Sequence, residues 1–257
     1  STRTVSLHTL SADGWSSFWW LLGIIVFCAY CTLLVPSVQQ PFYKLVQQTP
    51  WLQQIFFDTP TNTNAALLGT IAFSFLPALV VVFALILALK WSADLENGRL
   101  ELVLGTPNSR VRILLEHFGA NALVVGLSPV LTWLALFIGA QLVHLDVDQG
   151  RVIAASFSML PPALLTVGLV YALAGRLRYG AVLGCLSAYL VLAFLEESLE
   201  GIVSMPSWIG SLSIFHLYGN PIFLGMNWGN FLGMTGVAIA LLIMSLMQFR
   251  YADVGLG

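Results

Sequence analysis

The sequence predicts an all-α protein that crosses a membrane six times, and three observations carry that reading. Of its 257 residues, 58% are hydrophobic and only 9% charged, against about 25% charged in a soluble domain. The mean hydropathy is +0.87. The apolar residues gather into six runs, each long enough for the roughly 20 residues that a crossing needs. Crossing uses up nearly the whole chain, so residues 1–257 read as one six-span domain. A formal net charge of −2 offers no electrostatic footprint for nucleic acid.

The elements follow in order. Residues 1–15 are polar enough to stay outside lipid, with Ser11 or Asp13 as a cap for the first span. One arginine, Arg3, and no short apolar core with a small-residue cleavage site argue against a signal peptide. Span one runs from about Ser17 to Val35 and should stop at Pro36. The following VQQPFYKLVQQTPWLQQIFFDTPTNTN places Phe42, Leu45, Trp51, Leu52, Ile55 and Phe56 at helical spacing, which predicts a pair of short amphipathic helices on the far surface. Span two, about Ala65 to Leu89, contains Phe73, Phe75 and Pro77, and the proline should bend it.

Trp91 to Phe118 is the longest strongly charged run. Ser92 is expected to cap a helix whose first turn holds Asp94 and Glu96, acids that suit the positive end of a helix dipole. Leu95, Leu102 and Val103 share a face while Glu96, Arg99 and Glu101 lie elsewhere, so this helix is amphipathic. Gly105, Thr106 and Pro107 stop it, and Asn108 or Ser109 can cap the next helix, with Arg110 and Arg112 at the waterline.

Span three, about Gly119 to Val143, holds Pro129. A turn from His144 to Arg151 leads into span four, about Val152 to Ala174, where the tandem Pro161 and Pro162 remove two backbone donors and should kink or unwind it. Arg176 and Arg178 mark a tight turn on the side of the charged run and offer a second cytoplasmic contact. Span five, about Tyr179 to Leu195, meets Glu196 and Glu197. The stretch to Asn230 is too broken by Gly, Pro and Asn for a simple span and predicts short re-entrant or surface helices. Span six runs from about Phe231 to Phe249.

Six crossings put Arg3, Lys90, Arg99, Arg110, Arg112, Arg176, Arg178 and Arg250 on one side and leave Lys44 and Arg151 on the other. The positive-inside rule makes the first side cytoplasmic, with both termini and the charged run.

Chemistry is sparse. Lys44 follows Tyr43 and Lys90 follows Leu89, so no Gly-Lys phosphate loop exists and the chain itself should bind no ATP. Ser128 lacks the glycine frame of a nucleophile elbow. Cys28, Cys31 and Cys185 fall inside spans with no framework spacing. His8, His117, His144 and His216 read as single interfacial histidines, so no metal site is expected. Acids at span depth are costly and often functional, which makes Glu196 and Glu197 candidates for a substrate or cation path against the plainer reading of carboxylates reaching interfacial water. Phe73 and Phe75 could line a path or simply pack, and Pro77, Pro129, Pro161 and Pro162 are hinge candidates for a gate.

The run LENGRLELVLGTPNSRVRILLEHF resembles the cytoplasmic segment between spans two and three of ABC-2 type permeases, the membrane subunits of many ABC exporters. The matching residues are Glu96, Gly98, Leu100, Glu101, the Thr106-Pro107 turn and Ser109-Arg110; FSFLP, SLSIFHLYGNP and the closing Phe249, Arg250 and Asp253 extend the likeness to the antibiotic and multidrug branch. Arg99 and Asn108 depart from the family's pattern. The resemblance implies a coupling helix at about Ser92 to Leu104, seated in a cytoplasmic ATP-binding subunit through Asp94, Glu96, Gly98, Arg99, Glu101, Thr106, Pro107 and Arg110. It further implies two such subunits carrying ATP and Mg, no cofactor on this chain, a second six-span copy or homologue, and export of a drug, antibiotic or lipid from a prokaryotic plasma membrane. An ion-coupled secondary transporter using Glu196 or Glu197, or a membrane anchor or sensor, are the alternatives.

Overall fold

Lipid supplies no hydrogen-bond partners, so an apolar chain must satisfy its backbone within each segment, and helices do so. The computed structural model describes residues 4–48, 63–96, 110–199 and 206–251. They form α1 (Thr4–Gln48), α2 (Thr63–Leu68) running into a π-helical turn (Gly69–Phe73), α3 (Leu76–Glu96), α4 (Arg110–Leu142), α5 (Gln149–Phe157), α6 (Leu160–Ala174), α7 (Tyr179–Leu199), the short α8 (Ser207–Gly210), α9 (Ile214–Tyr218) and α10 (Pro221–Leu224), and α11 (Trp228–Tyr251). Among the described residues there is no strand, and six helical stretches are long and apolar enough to cross a membrane: Gly14–Phe42, Gly69–Glu96, Val111–Leu142, Gln149–Ala174, Tyr179–Leu199 and Trp228–Phe249.

Spans two and four are the centre of the bundle: 61% of each apolar window is buried, against 17–28% for the other four. Val80, Phe83, Ala84 and Ala88 of α3 and Ala163, Val167 and Tyr171 of α6 belong to one core, all completely buried. Trp20 stacks on Phe83 and the Cys31 thiol reaches the Ile71 carbonyl, so α1 runs antiparallel to span two. Span six lies parallel to α6. Gly168 permits the close approach, since a Cβ there would stand 3.2 Å from the Ala238 carbonyl oxygen. Small residues between helices are the usual means of close packing in lipid, where apolar side chains gain little by leaving the tails.

The prolines sort by position. Pro77 follows the first residue of α3, just after the π-helical turn and the non-helical Ser74-Phe75, so span two is interrupted beside the proline that was expected to bend it. Span four breaks at Ser158-Met159, and Pro161 and Pro162 fall in the first turn of α6, where their missing N–H groups would have had no partner anyway. Pro129 is buried inside an uninterrupted α4.

Four expectations are corrected. Span one does not begin near Ser17 or end at Pro36, because α1 is helical from Thr4 to Gln48 with Pro36 and Pro41 inside it; each proline removes one backbone bond, which a long helix tolerates. The described part of the expected amphipathic pair, to Gln48, continues α1, and residues 49–62 lie outside the described residues. Ser92 caps nothing: no breaker separates it from span two, so α3 continues to Glu96 and puts Asp94 and Glu96 in a last turn rather than a first. Span five passes Leu195 and includes Glu196 and Glu197 before ending at Leu199.

Candidate functional site

Acids in the last turn of α3 sit at the wrong end of their own helix dipole. Glu96 finds a better helix. Its Oε2 accepts the Tyr179 N–H at 2.8 Å, one of the donors that the first turn of α7 leaves without an internal partner. The carboxylate of span two thereby caps span five across the Arg176–Arg178 turn. Between them opens a cleft of about 390 Å³ lined by Ser92, Leu95, Glu96, Arg176, Arg178 and Phe249. Two sets of residues singled out from the sequence, Asp94 with Glu96 and Arg176 with Arg178, thus meet at one end of the bundle, called here the basic end. Arg112 pairs with Glu116 at 2.9 Å nearby in sequence on α4. Arg110 is the first residue of α4, and Gly98, Arg99, Glu101, Thr106 and Pro107 lie outside the described residues.

Above the cleft sits an aromatic knot that the sequence reading missed. The Trp91 ring stacks on Tyr171 at 5.3 Å and 7°, and meets His117 at 5.1 Å and Phe249 at 5.6 Å. Spans two, three, four and six all contribute. Tyr171 is completely buried; its hydroxyl accepts from the Asn121 amide at 3.0 Å and its carbonyl from Ser245 Oγ at 3.1 Å. Ring pairs are worth roughly 0.5–1.5 kcal/mol each beyond their area, and a helix cap about 1 kcal/mol. The knot therefore packs the last turns of α3 against spans three, four and six, and the Glu96 bond links the end of α3 to span five.

The opposite, acidic end is capped by α8, α9 and α10. Ser213 starts α9, accepting the His216 N–H and donating to the Ala193 carbonyl of α7, each at 3.3 Å. At the break in span four, the Met159 N–H turns to the Ser156 carbonyl and the Ala155 carbonyl accepts from the Tyr218 hydroxyl at 3.1 Å. Burial pushes the Tyr218 phenol well above its ordinary range. Arg151 donates to the Ile222 and Phe223 carbonyls at the end of α10, a cation at a helix C-terminus. A Cβ on Gly69 would lie 2.8 Å from Ile222, so α10 rests directly on the π-helical turn. The cap thus braces the breaks of both central spans.

Phe73, Pro77 and Glu197 line one cavity of about 330 Å³ beneath that cap, with Phe194, Phe215 and Tyr218. Phe73 is buried, while Phe75 is half-exposed and leans on Phe194, ring centres 6.2 Å apart. Glu196 is only 8% exposed rather than at interfacial water. His216 is not a solitary interfacial histidine: its Nδ1 stands 3.7 Å from Glu197 Oε2. Pro129, Pro161 and Pro162 stand apart from this cavity wall.

A sequence model of the family described as "Multidrug efflux system permease Rv1217c, C-terminal domain" matches residues 12–250. The chain belongs to this family of multidrug efflux permeases. No curated protein matches it by single-sequence comparison. The permease is accordingly a multi-pass membrane protein with a transport role, whose two broken central spans are braced by the cap at one end, while Glu96 ties span two to span five at the other. Neither Trp91–Tyr171 nor Glu197–His216 had a sequence signal beyond residue type, because both pairs join segments separated in the chain.

Proposed function

We propose that the permease is the membrane subunit of an ATP-driven exporter of the ABC-2 type, moving hydrophobic or amphipathic molecules such as drugs, antibiotics or lipids out of the cytoplasm or inner leaflet. One observation carries the reading: Glu96, at the lead into the charged run, is hydrogen-bonded to the first turn of span five at Tyr179. A push delivered to residues 92–104 from a cytoplasmic ATP-binding subunit would reach spans two and five together. The knot around Trp91 would carry it to spans three, four and six, and the broken segments of spans two and four would yield first. The multidrug efflux family, the missing Gly-Lys motif and the excess of positive residues at this end support the assignment. In this reading the basic end and both termini face the cytosol of a prokaryotic cell, two ATP-binding subunits carry ATP and Mg, and a second six-span unit completes the path. Asp94, Gly98, Arg99, Glu101, Thr106, Pro107 and Arg110 are the proposed subunit contacts, with Arg176 and Arg178 as the second.

A gradient-driven transporter using Glu196 or Glu197 is the second reading, favoured by the place of Glu197 in the acidic-end cavity. The first is tested by Glu96→Lys and Glu96→Gln in the complex with the ATP-binding subunit. A lysine cannot accept the Tyr179 N–H and a glutamine can. Drug-stimulated ATPase should fall about tenfold in the first variant, within the usual size of inter-site coupling, and stay near the parent rate in the second. Equal rates in all three proteins would count against the assignment.

A further inference from the structure

Glu196, Glu197 and His216 each present one ligand atom, and these atoms lie within 4.8 Å of one another at the acidic end of span five. Adjacent acids on a helix seldom share a focus, because successive side chains point about 100° apart. Here the third member comes from elsewhere: the Ser213 cap fastens α9 to the Ala193 carbonyl and sets His216 beside Glu197, 3.7 Å between Nδ1 and Oε2. Glu196 supplies an independent observation. It is more than nine-tenths buried, and its Oε2 has no hydrogen-bond partner. A buried carboxylate oxygen left in that state is costly, and a cation seated among the three groups is what would offset the cost.

The geometry points to a divalent transition-metal site, best suited to Zn²⁺, formed by Glu196, Glu197 and His216 where span five meets the acidic-end cap. An imidazole with two carboxylates suits zinc, whereas calcium takes six or more oxygens and magnesium keeps several waters. Ligand bonds of about 2.0–2.2 Å set tetrahedral ligand atoms roughly 3.4 Å apart. The Nδ1 to Oε2 pair at 3.7 Å is nearly at that spacing, and side-chain rotation brings in Glu196. Three protein ligands leave a fourth position for water on the side of the cavity that Glu197 lines. The bound ion would join α7 to α9 and hold the cap closed over the broken part of span two. The site stands apart from the ATP-driven reading and does not depend on it.

The test is direct metal binding by the full-length permease in lipid nanodiscs, stripped with chelator and titrated with Co²⁺ followed by Zn²⁺. The expected result is a visible d–d absorption that saturates at one Co²⁺ per chain and is displaced by Zn²⁺. Glu196→Gln and His216→Ala should each weaken binding at least about tenfold, while Asp146→Asn, an exposed acid at the same end, should leave it unchanged. A parent protein that shows no saturable band would overturn the proposal without reference to any variant, since the three groups would then hold no ion. Titrations that coincide for the parent, Glu196→Gln and His216→Ala would overturn it as well.

Discussion

Tyr218 illustrates how a single hydroxyl holds a broken span together. Two residues before Pro161 the helix of span four loses its register, and the Ala155 carbonyl takes its hydrogen bond from the Tyr218 hydroxyl. Tyr218→Phe leaves that carbonyl without a partner in a place that water does not reach, a loss of about 1–3 kcal/mol, and should lower the thermal midpoint by several degrees. Burial raises the phenol's pKa in the folded state. The unfolded chain therefore ionises first as pH rises, so the tyrosine's contribution is complete below about pH 10, the ordinary tyrosine value, and drains away above it. Thermal midpoints of parent and variant should converge above that pH. Curves that stay parallel would show that Tyr218 does not carry the effect.

At the scale of elements, the acidic-end cap braces both central spans, and the basic-end tie joins one of them, span two, to span five. The π-helical turn tolerates α10 only because residue 69 has no side chain: a Cβ there would meet Ile222 and the Phe223 ring at 2.8 Å. Gly69→Leu should cost about 1–3 kcal/mol by overpacking, and Ile222→Ala in the same chain should recover part of it, measured as thermal stability in detergent or nanodiscs. No recovery would mean that the two do not share that space. The elements themselves were largely legible, because crossing length and the need for internal backbone bonding leave few options; six spans, the break at Pro77 and the short helices before span six all follow from composition and prolines. Boundaries were not. Pro36 was expected to end a helix that continues to Gln48, and Ser92 was expected to start one that had begun at Leu76, since a proline or a serine marks a terminus only when packing does not extend the helix past it. The site was half legible. Asp94, Glu96, Arg176 and Arg178 could be assigned to one end by counting crossings, whereas the bond from Glu96 to Tyr179, 83 residues apart, and the approach of His216 to Glu197 depend on tertiary packing that no local pattern encodes.

For the whole molecule, the decisive feature is the separation of work between two ends. Most positive residues and the Glu96 tie lie at one end, the cap and its carboxylates at the other, and the two broken spans run between them through the most buried part of the bundle. The outer spans present apolar side chains such as Leu123, Leu127, Val191, Leu192, Val237 and Ile243, suited to lipid tails. In the proposed function, a machine arranged this way would take energy at the basic end and open at the acidic one. The most direct measurement is uptake of a lipophilic dye into inverted membrane vesicles carrying the permease and its ATP-binding subunit. Uptake that requires ATP and persists when ionophores collapse the proton and sodium gradients is the predicted result. Uptake driven by an imposed gradient in the absence of ATP would contradict the account.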